Sequence, residues 1–151
     1  GLVACVDPNG GHSALLSRAA PTILTPHDVE FAMLGGDAQS PHRIEATCAL
    51  DEATQCVLVR KGPTKIICHP SGEVFLSVSG DERLATAGTG DVLAGVIGAF
   101  VARGLDPFLA AAAGVHVHGL AGSVTDGEGV IARDVVSSLP EVLTKLVSYV
   151  R

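Results

Sequence analysis

The chain has no tryptophan, one tyrosine, one methionine and four phenylalanines in 151 residues. Aromatic residues make up 3% of it, too few for an aromatic-rich all-β protein. Positive charge is short as well. Ten Lys and Arg stand against 16 Asp and Glu, a net charge of −6. That balance disfavours a sequence-independent nucleic-acid partner, which needs a basic face. It leaves small anionic ligands open, because backbone N–H groups hold them locally. The four cysteines, Cys5, Cys48, Cys56 and Cys68, contain no C-x-x-C pair, so a zinc site or redox motif of that spacing is excluded and no metal site is expected. They fall in apolar segments and read as reduced core thiols of a cytoplasmic protein. No uninterrupted apolar run approaches a membrane span and no secretory leader is legible, so neither membrane nor export is expected.

What is present is small and apolar. Hydrophobic residues make up 47%, largely Ala, Val and Leu, with 18 glycines. This composition suits a layered helix-and-sheet domain with close helix packing. The opening "GLVACVD" has no initiator Met and no polar lead-in. Leu2 to Val6 is expected to form a buried strand, in a single domain over 1–151 that lacks an N-terminal part.

Further along, "DPNGG" is a turn and Ser13 to Ala19 a short helix. "PTILT" is a second strand. A helix carrying Val29, Phe31 and Leu34 is stopped by Gly35-Gly36. Ser40 and Pro41 are expected as cap and first residue of a helix reaching Thr54. "CVLVRKG" is a strand, and "TKIICH", "PSG" and "EVFLSVS" form a hairpin. Helices are expected from Asp91 to about Arg103, from Asp106-Pro107 through "FLAAAAGVHVHGLAGS", and from about Asp134 to Val150. Alternating strands and helices predict an α/β fold with a mostly parallel sheet flanked by helices. Ligands of such folds bind beyond the carboxyl ends of the strands, where Thr25-Pro26-His27, Lys61-Gly62 and Gly88 to Asp91 are expected.

Three segments could carry chemistry. In "LATAGTGDVLAG" a glycine-rich turn enters a helix. Asp91 is there either a first-turn acid favoured by the helix dipole, or a base beside N–H groups that hold a phosphate. His27 and Glu30, three apart, share a helix face; they are site residues or an exposed pair. Arg60-Lys61-Gly62 is a nucleotide loop or a solvated basic strand end. His116 and His118 lie on different sides of their helix, so joint metal binding is not expected, and one of them is expected to cap or hydrogen-bond in the core. His12, His42 and His69 read as surface residues. Asp7 and Asn9 face the same cleft or simply form a turn.

The segments "LTPHDVEF", "VLVRKGPTKIICHPSGEVF", "LATAGTGDVLAGVIGAFVARGLDPFLAAAAGVHVHGLAG" and "GVIARDVVSSLPEVL" occur in the order seen in one family. The chain resembles the C-terminal portion of ADP- or ATP-dependent NAD(P)H-hydrate dehydratases, which are ribokinase-like. The resemblance covers nearly the whole chain. It implies repair of hydrated NADH or NADPH, with ADP or ATP as phosphate donor and Mg2+ present. It places His27 and Asp91 against the substrate, with Asp91 as base. It places Lys61, Gly62, Pro63, Thr64, Lys65 and Gly90 against the nucleotide, and the N–H groups of Gly88, Thr89 and Gly90 as an anion hole. It also makes a homo-oligomer plausible. Lys65 stands where the family usually has Thr, and "VDPNGG" matches the family's Asp-Ala-Asp segment loosely. The alternatives are another ribokinase-like small-molecule kinase, disfavoured by His27 where thiamine-pathway kinases carry Asn, and an inactive fragment or assembly module.

Overall fold

The computed structural model describes residues 2–125, 127 and 129–148. The chain divides into two compact units, Gly1–Leu76 and Ser77–Arg151.

The first unit opens with a 3-10 turn, Leu2–Cys5, where a strand is expected. Leu2 and Cys5, three apart, both pack on the core while Ala4 is exposed. That is the one-sided burial of a helical turn. Asp7 is a turn former: its carboxylate accepts from the Ser13 hydroxyl at 2.8 Å and the Ser13 N–H at 3.1 Å. There follow α1 (Ser13–Leu16), β1 (Ile23–Leu24), α2 (Asp28–Met33) and α3 (Arg43–Thr54). Strands β2 (Val57–Arg60), β3 (Lys65–Cys68) and β4 (Val74–Ser77) complete the sheet, in the order β1-β2-β3-β4. β1 runs parallel to β2, with Ile23 opposite Val57. β2 runs antiparallel to β3, with Leu58 opposite Cys68. The sheet is thus mixed rather than mostly parallel. A connection as short as 61–64 cannot make the crossover that parallel strands need.

α3 starts at Arg43, later than Ser40-Pro41 predict, because the Ser40 hydroxyl accepts the His42 N–H at 3.2 Å and closes a turn ahead of the helix. Leu15, Leu24, Phe31, Leu34, Leu50, Cys56 and Leu58 form the core. Two buried threonines of α3 satisfy themselves locally, Thr47 on the Arg43 carbonyl at 2.6 Å and Thr54 on the Leu50 carbonyl at 2.8 Å. Asp51 does not. It is 2% exposed and its Oδ2 has no partner among the described residues. Burial pushes its carboxyl up to about 6.

The second unit begins with the end of β4 and a 3-10 turn, Glu82–Leu84. Its helices are α4 (Thr89–Ala102), α5 (Pro107–Val124) and α6 (Ala132–Ser148). The expected end of the last helix, Val150, lies outside the described residues. Asp106 caps α5 as its sequence predicts, accepting from the N–H groups of Phe108 at 2.9 Å and Leu109 at 3.2 Å ahead of Pro107. α5 packs against both α4 and α6. Contrary to expectation it is long and apolar enough, by length and composition, to cross a membrane, yet more than half of it is buried. Its glycines explain the close packing. A Cβ on Gly114 would sit 2.5 Å from Ile97 Cγ1, and one on Gly122 2.6 Å from Leu84.

Two stability predictions follow from this packing. A Cβ on Gly119 would meet the Ser79 backbone at 2.6 Å, while one on Gly98 meets nothing. Helix propensity favours alanine by about 1 kcal/mol at either site, but overpacking against backbone costs about 1–3 kcal/mol. Urea titration should therefore find Gly98→Ala stabilised and Gly119→Ala destabilised; the same sign for both would contradict the packing. Asp51 gives the second. Its raised carboxyl favours folding below the ordinary value of 3.8, and that contribution is lost as pH rises through about 6. The stability of Asp51→Asn relative to the native chain should grow across that window, by about 3 kcal/mol. A difference flat with pH would show that Asp51 titrates normally.

Candidate functional site

In the first unit the parallel register of β1 and β2 sets the geometry. Ile23 opposes Val57 and Leu24 opposes Leu58, which carries His27 level with Lys61 where the strands end. The Lys61 N–H donates to the Pro26 carbonyl at 2.9 Å and holds the two strand ends together. Pro26 is buried and His27 exposed. His27 caps α2, accepting the Glu30 N–H on Nδ1 at 3.2 Å, while Glu30 Oε2 accepts the His27 N–H at 3.0 Å. This is a capping box with an imidazole in the cap. With Nδ1 accepting, the ring proton sits on Nε2, 3.4 Å from Glu30 Oε2. The same oxygen lies 3.5 Å from Lys61 Nζ. Burial tends to raise the Glu30 carboxyl, but the His27 N–H and the Lys61 charge outweigh it and hold it low. Lys61, Gly62, Pro63 and Thr64 make the connection from β2, and Lys65 is the first residue of β3.

Arg60 is neither a nucleotide contact nor a solvated strand end. It is 0% exposed. Its guanidinium lies 4.1 Å from the centre of the Phe31 ring. Nε donates to Asp28 Oδ1 at 2.8 Å and Nη2 to the Ala38 carbonyl at 3.2 Å. Asp28 Oδ2 takes a second donor, Arg43 Nη1, at 3.2 Å. A Cβ on Gly62 would sit 2.8 Å from Arg43 Nη2, so the loop passes directly over this guanidinium. Asp28 and Arg43 carry no motif of their own in the sequence. The available signal is a charge, Arg60, inside an unbroken buried strand, which requires a partner.

In the second unit Gly88, at φ 88° and ψ −16°, is the N-cap of α4 and Asp91 lies in its first turn. Glycine suits this left-handed geometry. The turn follows a 3-10 segment rather than a strand. Buried Thr89 anchors it, donating its hydroxyl to the carbonyls of Leu84 at 2.6 Å and Thr86 at 2.7 Å. The Thr89 N–H turns to the Thr86 carbonyl at 3.3 Å. Among the described residues the N–H groups of Gly88 and Gly90 and the exposed Asp91 carboxylate have no hydrogen-bond partner. His118 is the core histidine expected: 5% exposed, it donates Nε2–H to the Thr89 carbonyl at 2.9 Å. His116 is exposed and pairs with the Ser79 hydroxyl at 2.8 Å. In the first unit His12 is not a free surface residue, since Nε2 donates to the Leu34 carbonyl at 2.7 Å.

The sequence profile of the family described as NAD(P)H-hydrate dehydratase matches residues 9–143. The chain belongs to the NAD(P)H-hydrate dehydratase family. A bifunctional NAD(P)H-hydrate repair enzyme of Moorella thermoacetica is 37% identical over 133 residues, 83% of this chain and 25% of that protein. The Bacillus subtilis ADP/ATP-dependent NAD(P)H-hydrate dehydratase, co-crystallised with ATP and Mg2+, superimposes with a TM-score of 0.78 at 31% identity, over 85% of this chain and 49% of that one. An Enterococcus faecalis ribokinase-like superfamily protein gives 0.75 at 26% identity, over 89% and 51%. The fold of this dehydratase-family chain is therefore ribokinase-like α/β. It spans a quarter to about half the length of these relatives.

Asp28 is the anion on which this dehydratase-family chain's buried guanidinium depends. Burial tends to raise its carboxyl, but hydrogen bonds from Arg60 and Arg43 win and hold it low. Its contribution is thus present at neutral pH and lost as pH falls below the ordinary value of 3.8. Asp28→Ala strands a buried charge. Allowing for an Asp28 side chain 48% exposed, the expected loss is about 2 kcal/mol. Denaturant unfolding at neutral pH checks it, and an unchanged midpoint would contradict the pairing.

Proposed function

We propose that this chain acts in nucleotide-dependent dehydration of hydrated NADH or NADPH, with Asp91 as the base, His27 against the substrate, and Lys61, Gly62, Pro63, Thr64, Lys65 and Gly90 against the nucleotide. The observation that carries the reading is the turn entering α4. It presents an unpaired, exposed carboxylate beside N–H groups of Gly88 and Gly90 that have no partner among the described residues. Such groups stabilise charge on a transferring phosphoryl group. Asp91 takes the proton of the ring hydroxyl, whose oxygen attacks the terminal phosphorus of ADP or ATP as the bond from that phosphorus to the bridging oxygen breaks and AMP or ADP leaves. The ring nitrogen lone pair then expels phosphate to leave an iminium, and loss of a proton from the neighbouring ring carbon restores the ring double bond. Hydroxide is a poor leaving group and phosphate a good one, which is why a nucleotide is consumed. The printed names of the Moorella and Bacillus relatives, a hydrate repair enzyme and an ADP/ATP-dependent dehydratase, support this chemistry.

Among the described residues no group of three or more His, Cys, Asp or Glu side chains is placed to hold a metal ion. Mg2+ would therefore be held mainly by the nucleotide phosphates and water, as is usual for this ion, and would supply charge neutralisation there.

The test is to incubate the chain with hydrated NADH and either ADP or ATP and follow the return of NADH absorbance. Nucleotide-dependent recovery is expected, and the donor that works identifies the nucleotide. Asp91→Asn should lower turnover roughly 10²–10⁴-fold and keep nucleotide binding. No recovery with either nucleotide from folded chain would overturn the proposal for this chain, and wild-type turnover in Asp91→Asn would overturn the base assignment.

A further inference from the structure

Two thiols meet where α3 lies against β3, apart from every residue placed in the site above. Cys48 Sγ and Cys68 Sγ approach to 2.6 Å across 20 positions of sequence. Both are free thiols, Cys68 0% exposed and Cys48 partly exposed. Of the other two cysteines, Cys56 donates its thiol to the Thr54 carbonyl at 3.2 Å. Sulfurs joined in a disulfide lie about 2.05 Å apart, so closing the Cys48–Cys68 pair asks for roughly half an ångström of movement. Reduced core thiols, as the composition implies, thus include one pair set for bonding.

We propose that Cys48 and Cys68 form an oxidation-sensitive dithiol that closes to a disulfide when the chain meets a hydroperoxide. Cys48, the accessible partner, meets the oxidant. Its sulfur takes the distal oxygen of the peroxide, the O–O bond breaks, and hydrogen peroxide leaves as one water with Cys48 as a sulfenic acid. The Cys68 sulfur then attacks Cys48 Sγ. An S–S bond forms, the S–O bond breaks, and the departing hydroxide takes the Cys68 proton as a second water. Two thiols are oxidised and one peroxide is reduced. Burial, the adjacent Cys48 thiol and the Asp51 carboxylate all push the Cys68 thiol up. It stays protonated and becomes the resolving partner rather than the first target. The bond staples α3 to the strand that leads out of the 61–64 connection.

The experiment treats the reduced full chain with stoichiometric hydrogen peroxide, blocks remaining thiols with N-ethylmaleimide in denaturant, and measures intact mass and digest. Before treatment all four cysteines should take the label. Afterwards two should, with the Cys48 and Cys68 peptides joined and released by dithiothreitol. The thermal midpoint should rise by roughly 5–10 °C, as expected for a loop of this length. Cys48→Ala, a mild change on a part-exposed helix position, should lose both the cross-link and the rise, while Cys5→Ala should keep them. Four labels after peroxide, Cys48 carried to the sulfinic acid with Cys68 free, or a cross-link joining Cys5 to Cys56 would each overturn the proposal.

Discussion

A guanidinium with no exposure to solvent must be neutralised where it stands, and in the first unit that requirement arranges the surroundings. Burying a charge unpaired costs several kcal/mol. Arg60 is met by a carboxylate on α2, a ring face from the same helix and a carbonyl at Ala38. These partners fix α2 over the end of β2. His27 is then fixed too, because it is the cap of that helix. The second oxygen of Asp28 reaches Arg43 at the start of α3, and Arg43 lies against Gly62. Helix entry, strand end and loop are thus joined through one carboxylate. The geometry of the exposed residues rests on a charge that solvent never sees.

The second unit is arranged by what its residues lack. Gly114 and Gly122 let α5 come so close to Ile97 and Leu84 that a methyl group would collide. Close approach lets His118 reach from α5 to the Thr89 carbonyl in the first turn of α4. Thr89 in turn ties that turn to Leu84 and Thr86. The glycine-rich turn looks flexible in sequence, yet it is anchored on its inner side by a buried hydroxyl and a buried imidazole. Its outer side keeps the Gly88 and Gly90 N–H groups and Asp91. Rigidity of that kind is what a preorganised anion site requires.

Local signals were legible where they were self-sufficient. Asp106-Pro107 specifies a cap and a first helical residue without help from elsewhere, and the "PSG" hairpin turn does the same. The small residues of α5 could mean only close contact. Legibility failed where a short segment is decided by distant partners. Leu2 to Val6 is a continuous apolar run, and such runs fit a strand or a helical turn equally well. Ser40 is a competent cap, but it bonds His42 and the helix starts after it. Arg60 sits at a strand exit, where a cation ordinarily faces water; Asp28 lies 32 residues away, and no local pattern announces that pairing. Histidine is an unusual cap, so His27 was legible as a candidate for chemistry but not as a capping residue. The Cys48–Cys68 contact follows from α3 packing on β3, which spacing alone does not encode.

Under the proposed reading an acidic chain has to hold a polyanion, and the charge network bounds how. Around the end of β2 three cations, Arg43, Arg60 and Lys61, face two carboxylates, Asp28 and Glu30. The surplus is a single positive charge, and Arg60 is fully buried. Long-range attraction from such a cluster is weak at physiological salt, where exposed charges are screened within about 8 Å. Directional contacts must then carry recognition, and in the second unit the backbone N–H groups at Gly88 and Gly90 are such contacts. A site built this way selects the geometry of a phosphate more than the presence of negative charge. Among the described residues the Asp91 carboxylate beside those N–H groups has no ion-pair partner. Proton acceptance and anion binding can then occupy one turn, provided the anion is held by dipoles rather than by charge.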